Sequence, residues 1–246
     1  MIGINIVIPS HKRAANVLTT KVVQHGILCV PDSQYLEYKK YNPNTEIVAH
    51  PDNVIGLPPK LEWIRQNFDN CFFLDDDCTG FRQLYDKANP QIKDRDLVRE
   101  IIENTAYSAR MAGSYLFGFA KDPNPLTYNA HEPIKLTGFV LGGATGLLSG
   151  SKLYWDCNMK INGDYFISLL NAYYHRKVYK DMRYCFTFAK TFTNQGGLAG
   201  VRNSELLEQH YHYLRSKFGD AIQLKGDSNP VRKNKSEFEM SMNLPY

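Results

Sequence analysis

Cys71-Phe72-Phe73-Leu74 runs without a break into Asp75-Asp76-Asp77. An apolar run of this length, followed by the turn signal Cys78-Thr79-Gly80, reads as a buried strand. Such a strand belongs inside a sheet covered on both faces, which narrows the fold more than any other stretch. Adjacent carboxylates at its end repel one another, and burial raises their pKa values. A divalent cation is the simplest relief, since Mg²⁺ and Mn²⁺ take carboxylate and phosphate oxygens. Residues two apart in extended backbone point the same way, so Asp75 and Asp77 share a face. A solvated acidic turn is the plainer alternative.

The chain before the triplet supplies the rest of a sheet. Residues 4–9 are a β-branched run closed by Pro9, a first and central strand. Ser10-His11-Lys12-Arg13 follows at its carboxyl edge, where open α/β sheets bind ligands. Lys12 and Arg13 there meet a phosphate or simply open a helix. Residues 14–24 read as helical, 27–30 as a second strand, 31–38 as a short helix and 46–49 as a third strand. Pro58 or Pro59 starts a helix with Leu61, Ile64 and Phe68 as its buried stripe. Lys60 lies in its first turn, where a cation opposes the helix dipole; it is either solvated or a phosphate partner. Strand and helix alternate throughout, which predicts an α/β fold with a mostly parallel sheet and helices on both faces.

Residues 95–111 form a long helix carrying Leu97, Ile101 or Ile102, Thr105 and Ala109 on one side, and 115–120 a strand. Residues 135–150 hold Gly138, Gly142, Gly143, Gly146 and Gly150 among apolar residues but match no phosphate-binding glycine motif. They read either as backbone packed around a cleft, with Gly142-Gly143 approaching a ligand, or as a bulged strand pair. Asn162-Gly163-Asp164 opens an amphipathic helix through Phe166, Leu169, Leu170 and Tyr173, with Asn162 as its cap. Residues 183–189 are strand-like. A last helix from Asn203 or Ser204 buries Leu207, Tyr211, Leu214 and Phe218 and stops at Gly219. His210 and His212 within it read as surface histidines, and residues 226–246 as a tail or flap with little core.

The 246-residue, 28.2 kDa chain suits one α/β domain or two small ones. Its net charge of +4 permits an anionic substrate or nucleic acid without demanding either. Five cysteines with no C-x-x-C pair fit a reduced, intracellular protein. No basic leader precedes the first strand and no apolar stretch is long enough for a membrane span, so a cytoplasmic, membrane-free protein is expected.

A strand ending in Asp-x-Asp inside such a sheet suggests a metal-bound diphosphate. When a sugar leaves a nucleoside diphosphate, negative charge develops on the phosphate, and a cation stabilises it. The acceptor hydroxyl needs a base on the other side if configuration inverts. Asp164 fits that role, although a helix N-terminus favours its ionised form and a carboxylate there also starts a helix.

The first strand with Ser10-His11-Lys12-Arg13, followed by Leu74-Asp75-Asp76-Asp77, resembles the opening of a GT-A glycosyltransferase. Gly163-Asp164 resembles that family's acidic acceptor-side motif, with glycine where many relatives carry glutamate. Asn194-Gln195-Gly196-Gly197, Arg202, Phe218-Gly219-Asp220 and Lys225 are similar to the TET-associated phage glycosyltransferases, relatives of the base J glucosyltransferase. The resemblance implies a single GT-A domain: a nucleotide-sugar half over 1–90, an acceptor half over 91–225 and the tail. It implies transfer from a UDP-sugar to a 5-hydroxymethylpyrimidine in double-stranded DNA. Asp75 and Asp77 would hold Mn²⁺ or Mg²⁺. Pro9, His11, Arg13, Lys60, Asp75, Asp76, Gly142 and Gly143 would line the donor site, with Asp164 catalytic. Arg202, Lys225, Arg232 and Lys233 would contact DNA or phosphate. A saccharide, lipid or protein hydroxyl is the alternative acceptor, and an inactive nucleotide-binding module the alternative class.

Overall fold

The structure, a computed structural model, describes residues 3–189, 204–225 and 238–244. Its sheet begins with β1 (Asn5–Pro9), β2 (Ile27–Pro31), β3 (Glu46–His50) and β4 (Cys71–Leu74), all mutually parallel in the order β3-β2-β1-β4. The second half adds β5 (Cys78–Gln83), β6 (Leu116–Ala120), β7 (Ile134–Lys135), β8 (Ala144–Leu147) and β9 (Val178–Phe188). Strand β8 enters antiparallel between β4 and β6, and β9 runs parallel to β6, giving the order β3-β2-β1-β4-β8-β6-β9-β5 with β7 on β9. Strands β1–β4, β6 and β9 therefore point one way, and their carboxyl ends share an edge. The sheet is mostly parallel, as the alternation predicts.

Side chains of β4 alternate between two cores. Cys71 and Phe73 face a cluster closed by α2 (Leu57–Asn67), α4 (Gly163–Tyr174) and α5 (Ser204–Phe218). Phe72 and Leu74 face a second cluster under α3 (Arg95–Met111), where Phe72 meets Phe117, Phe119 and Phe186. Burial on both faces makes this strand apolar at every position. Gly146 in β8 lies over Phe117, and a Cβ there would overlap the ring, so close packing fixes that glycine.

Several expected elements shift in detail. Residues 14–24 form no α-helix but two 3-10 turns, Ala14–Asn16 and Thr19–Lys21. Helix α3 matches the expected span and is capped by Asp94, whose carboxylate accepts from the Asp96 and Leu97 amides. Its buried face is Val98, Ile102, Thr105, Ala106 and Ala109, while Leu97 is 40% exposed. Helix α5 buries Leu206, His210 and Leu214, a stripe turned from the expected one towards its start. Near the C-terminus, β11 (Met240–Met242) pairs with β10 (Ile222–Leu224), and Met240 enters the first core. Among the described residues no helix is long and apolar enough to cross a membrane.

Candidate active site

The acidic turn hangs from the carboxyl end of β4 and is gripped through its backbone. Thr19 Oγ1 donates to the Asp75 carbonyl at 2.5 Å, and the Leu18 amide to the Asp76 carbonyl at 2.8 Å. The Asp75 amide donates to the Gly143 carbonyl, and the Ala189 amide to the Asp77 carbonyl, each at 2.9 Å. With the backbone satisfied, the three side chains are free to take different tasks.

Asp76 is the member with a built nest. Its carboxylate is buried, accepting from Ser10 Oγ at 2.5 Å and from Arg13 Nη1 at 2.8 Å. Tyr38 from α1 (Tyr35–Tyr41) meets Ser10 Oγ at 2.6 Å. Lys60 is buried as well, not solvated, and its Nζ donates to the Ser10 carbonyl at 2.5 Å. Burial pulls the Lys60 ammonium down to about 8 against the opposing pull of Cys29 and Asp76. Asp76 with Ser10 and Arg13 thus clamps the carboxyl end of β1 to that of β4, and Lys60 ties the start of α2 to the same point.

Asp75 and Asp77 are the carboxylates left under electrostatic load. Burial, then Asp77 and Asp76, push the Asp75 carboxyl up to about 7, and Asp164 adds to the effect. Asp77 is raised by burial and Asp76, with Arg13 3.8 Å away opposing the shift. Such a pair has the oxygen chemistry of a divalent-cation site. Among the described residues no group of three or more His, Cys, Asp or Glu side chains is arranged to hold a metal. Among the described residues the donor set is therefore Asp75 and Asp77.

Asp164, far along the chain, arrives at the same place. A Cβ added at Gly142 would lie 3.1 Å from Asp164 Cβ, and one at Gly143 would lie 3.1 Å from Asp75 Oδ2. The glycine pair is the shared wall between the two carboxylates, and its missing side chains leave room for them. Asp164 opens α4, where its Oδ1 accepts from the Tyr165 amide at 3.0 Å.

Helix α4 starts differently from the expected cap. Asn162 is left-handed, with φ 60° and ψ 26°, and makes no side-chain cap bond. Its carbonyl accepts from the Tyr165 and Phe166 amides instead. The segment before it is held by His210, which is buried rather than a surface residue. The His210 imidazole donates through Nδ1 to the Ile161 carbonyl at 2.9 Å and accepts at Nε2 from the Lys160 amide at 3.4 Å. That pattern fixes the neutral tautomer, and burial lowers its pKa. Below pH 6.5 the unfolded chain takes up a proton that the native state refuses, so stability falls as pH drops. His210→Ala is expected to cost roughly 1–3 kcal/mol. His210→Gln, able to donate and accept but not to titrate, should remain more stable and lose less stability on acidification, as pH-dependent thermal melts would show.

The remaining sequence candidates are scattered. His11 lies exposed just beyond the carboxyl end of β1, its Nδ1 3.1 Å from Gln34 Nε2, and partial burial, then Lys60, lower its pKa. Lys225 is ion-paired with Glu239 at 2.6 Å, so its charge is already partnered. Arg202, Arg232, Lys233 and the motif at 194–197 lie outside the described residues. Sequence reasoning missed His50 at the end of β3, whose buried Nε2 has no hydrogen-bond partner among the described residues. It also missed Tyr38 and Thr19, which touch the site only through the tertiary fold.

Comparison with known proteins places this geometry. Residues 4–197 match the family model described as TET-Associated Glycosyltransferase. Among solved structures, S. aureus TarS 1–349 aligns with a TM-score of 0.51 at 8% identity, covering 87% of this chain and 73% of that one. At that identity the likeness concerns the fold, and it agrees with the GT-A architecture expected from the sequence. No curated protein matches. The family match spans both the acidic turn and Gly163-Asp164, and on that match the chain belongs to the TET-associated glycosyltransferase family and is a glycosyltransferase.

Proposed function

We propose that the enzyme moves a sugar from a UDP-sugar to a 5-hydroxymethylpyrimidine in DNA, with inversion at the sugar carbon. The observation that carries this reading is the meeting of Asp75 and Asp164 across Gly142-Gly143. The donor lies over the carboxyl ends of β1–β4, the ligand-binding edge of an open α/β sheet. His11, Lys60 and the Asp76–Arg13 clamp shape that edge. Asp75 and Asp77 fit a Mn²⁺ or Mg²⁺ ion, which supplies charge to offset that developing on the leaving diphosphate. A small protein donor set suits such an ion, since Mg²⁺ commonly takes one or two carboxylates beside substrate phosphates.

Asp164 accepts the proton of the attacking hydroxymethyl group as its oxygen bonds to the sugar carbon and the donor diphosphate departs. Gly142 and Gly143 leave the gap in which those groups approach. DNA is favoured as acceptor by the family name. The test is mass spectrometry of duplexes carrying 5-hydroxymethylcytosine or 5-hydroxymethyluracil, incubated with a panel of UDP-sugars and Mn²⁺. A hexose or pentose mass added to these, and absent from unmodified DNA, is the expected result. Turnover of UDP-sugar with transfer to a saccharide or protein hydroxyl alone would overturn the acceptor assignment.

A further inference from the structure

The acceptor-side half of the sheet carries three lysines with little acidic compensation among the described residues. Lys135 in β7 and Lys180 in β9 are directly opposed in an antiparallel pair. Like charges facing each other across two strands destabilise the pairing. Lys180 is partly buried, and its Nζ donates to the Phe139 carbonyl at 3.2 Å. Gly138, left-handed at φ 94°, leaves the space beside that ammonium: a Cβ there would lie 3.2 Å from Nζ. Lys121 follows the carboxyl end of β6, next to β9. Neither Lys121 nor Lys180 forms an ion pair with a described residue, and Lys135 has an exposed contact to Glu132 at 3.8 Å. Exposed pairs of that kind contribute little. Burial, then Lys135 and Lys121, pull the Lys180 ammonium down to about 8.

The group is tied to the catalytic cleft by one loop. Phe139, whose carbonyl holds Lys180, packs its ring on Tyr165, the residue after Asp164. The same loop continues to Gly142-Gly143. In the sheet, β9 is three strands from β4, or about 14 Å at ~4.8 Å per strand. That span equals about four base-pair steps of ~3.4 Å. Asp181, beside Lys180, is buried and already paired with Arg183, and Glu132 meets Lys135 only at 3.8 Å. Positive charge one short duplex segment from the acceptor base fits a polyanion with regular spacing.

We propose that Lys121, Lys135 and Lys180 are a docking site for the phosphodiester backbone of the acceptor strand. The assignment rests on DNA being the acceptor and adds where its backbone is held. It shifts the phosphate contacts away from Lys225, whose charge Glu239 already meets.

The experiment compares wild type with Lys135→Gln/Lys180→Gln, Lys121→Gln and the control Lys39→Gln. Lys39 lies on α1 and bonds the Pro43 carbonyl, on the donor side of the sheet. Binding of a duplex carrying 5-hydroxymethylcytosine is followed by fluorescence anisotropy across a salt series, with thermal melts confirming folding. Each lost phosphate contact lowers the slope of log K against log salt by about 0.9. The double variant should therefore lose about two units of slope and at least tenfold in DNA affinity. Its KM for DNA should rise by more than kcat at saturating DNA falls, and UDP-sugar affinity should stay at the wild-type value. Lys121→Gln should lose about one unit, and Lys39→Gln none. Wild-type affinity and slope in the double variant, or an equal loss in Lys39→Gln, overturns the docking site while leaving DNA as acceptor intact. A wild-type enzyme that neither binds nor glycosylates the duplex overturns the acceptor reading and the docking site together.

Discussion

Asp75→Asn is expected to lower sugar transfer by about a thousandfold or more, the scale of losing a group that stabilises charge on a leaving phosphate. The backbone of Asp75 is held by Thr19 and Gly143, and those bonds survive the substitution. What disappears is a carboxylate that burial and two acidic neighbours already disfavour. The metal-free variant should therefore melt at or above the wild-type temperature. Wild type should melt higher when Mn²⁺ and UDP are added, because a ligand that binds the native state stabilises it by mass action. The variant should lose most of that increment. Activity loss with a retained metal-dependent shift would move the cation elsewhere, and a wild-type rate would reduce Asp75 to a structural residue.

The division of labour within the triplet explains why its neighbours were harder to read. Cys71–Leu74 is legible because a strand buried on both faces must be apolar throughout, and that pattern is local. The cap and span of α3 are legible for the same reason: Asp94 and the periodicity lie within one segment. Two overlapping stripes at helical spacing, one from Leu97 through Ile101 and one from Val98 through Ile102, compete locally, and packing against Phe72 and Phe117 selects the second. Asp76 reads from sequence as a side chain turned away from its neighbours. Its partners Ser10 and Arg13 come from the start of the chain, and only the pairing of β1 with β4 brings them together.

The second carboxylate shows both the reach and the limit of such reading. Gly163-Asp164 was recognisable as the opening of a helix and as an acidic motif. Its position beside Asp75 follows from Gly142-Gly143, which lead into β8, the strand placed antiparallel between β4 and β6. The left-handed Asn162 and the His210 clamp behind it were not recognisable. Asn162 looks like an ordinary cap, and a histidine inside a polar helix carries no sign that a distant loop will cover it.

Asp164→Asn should reduce kcat for transfer by about 10²–10⁴, the contribution of a positioned general base. Asparagine is nearly isosteric and keeps an oxygen that can accept from the Tyr165 amide, so the start of α4 is preserved. UDP-sugar affinity should change less than twofold if, as proposed, the donor's contacts lie on the β1–β4 side of the glycine wall. Gly142→Ala gives an independent handle on the same atom. Its added Cβ would sit 3.1 Å from Asp164 Cβ, displacing the carboxylate without removing it. A rate loss there, with donor affinity intact, separates placement of the base from its presence. Single-turnover kinetics with calorimetric donor binding would measure both quantities. A base acts only in the transition state, so kcat and kcat/KM should fall together in the Asp164→Asn variant. If KM alone rises, Asp164 orients the acceptor hydroxyl without taking its proton. An unchanged rate would leave Asp164 as a residue that begins a helix.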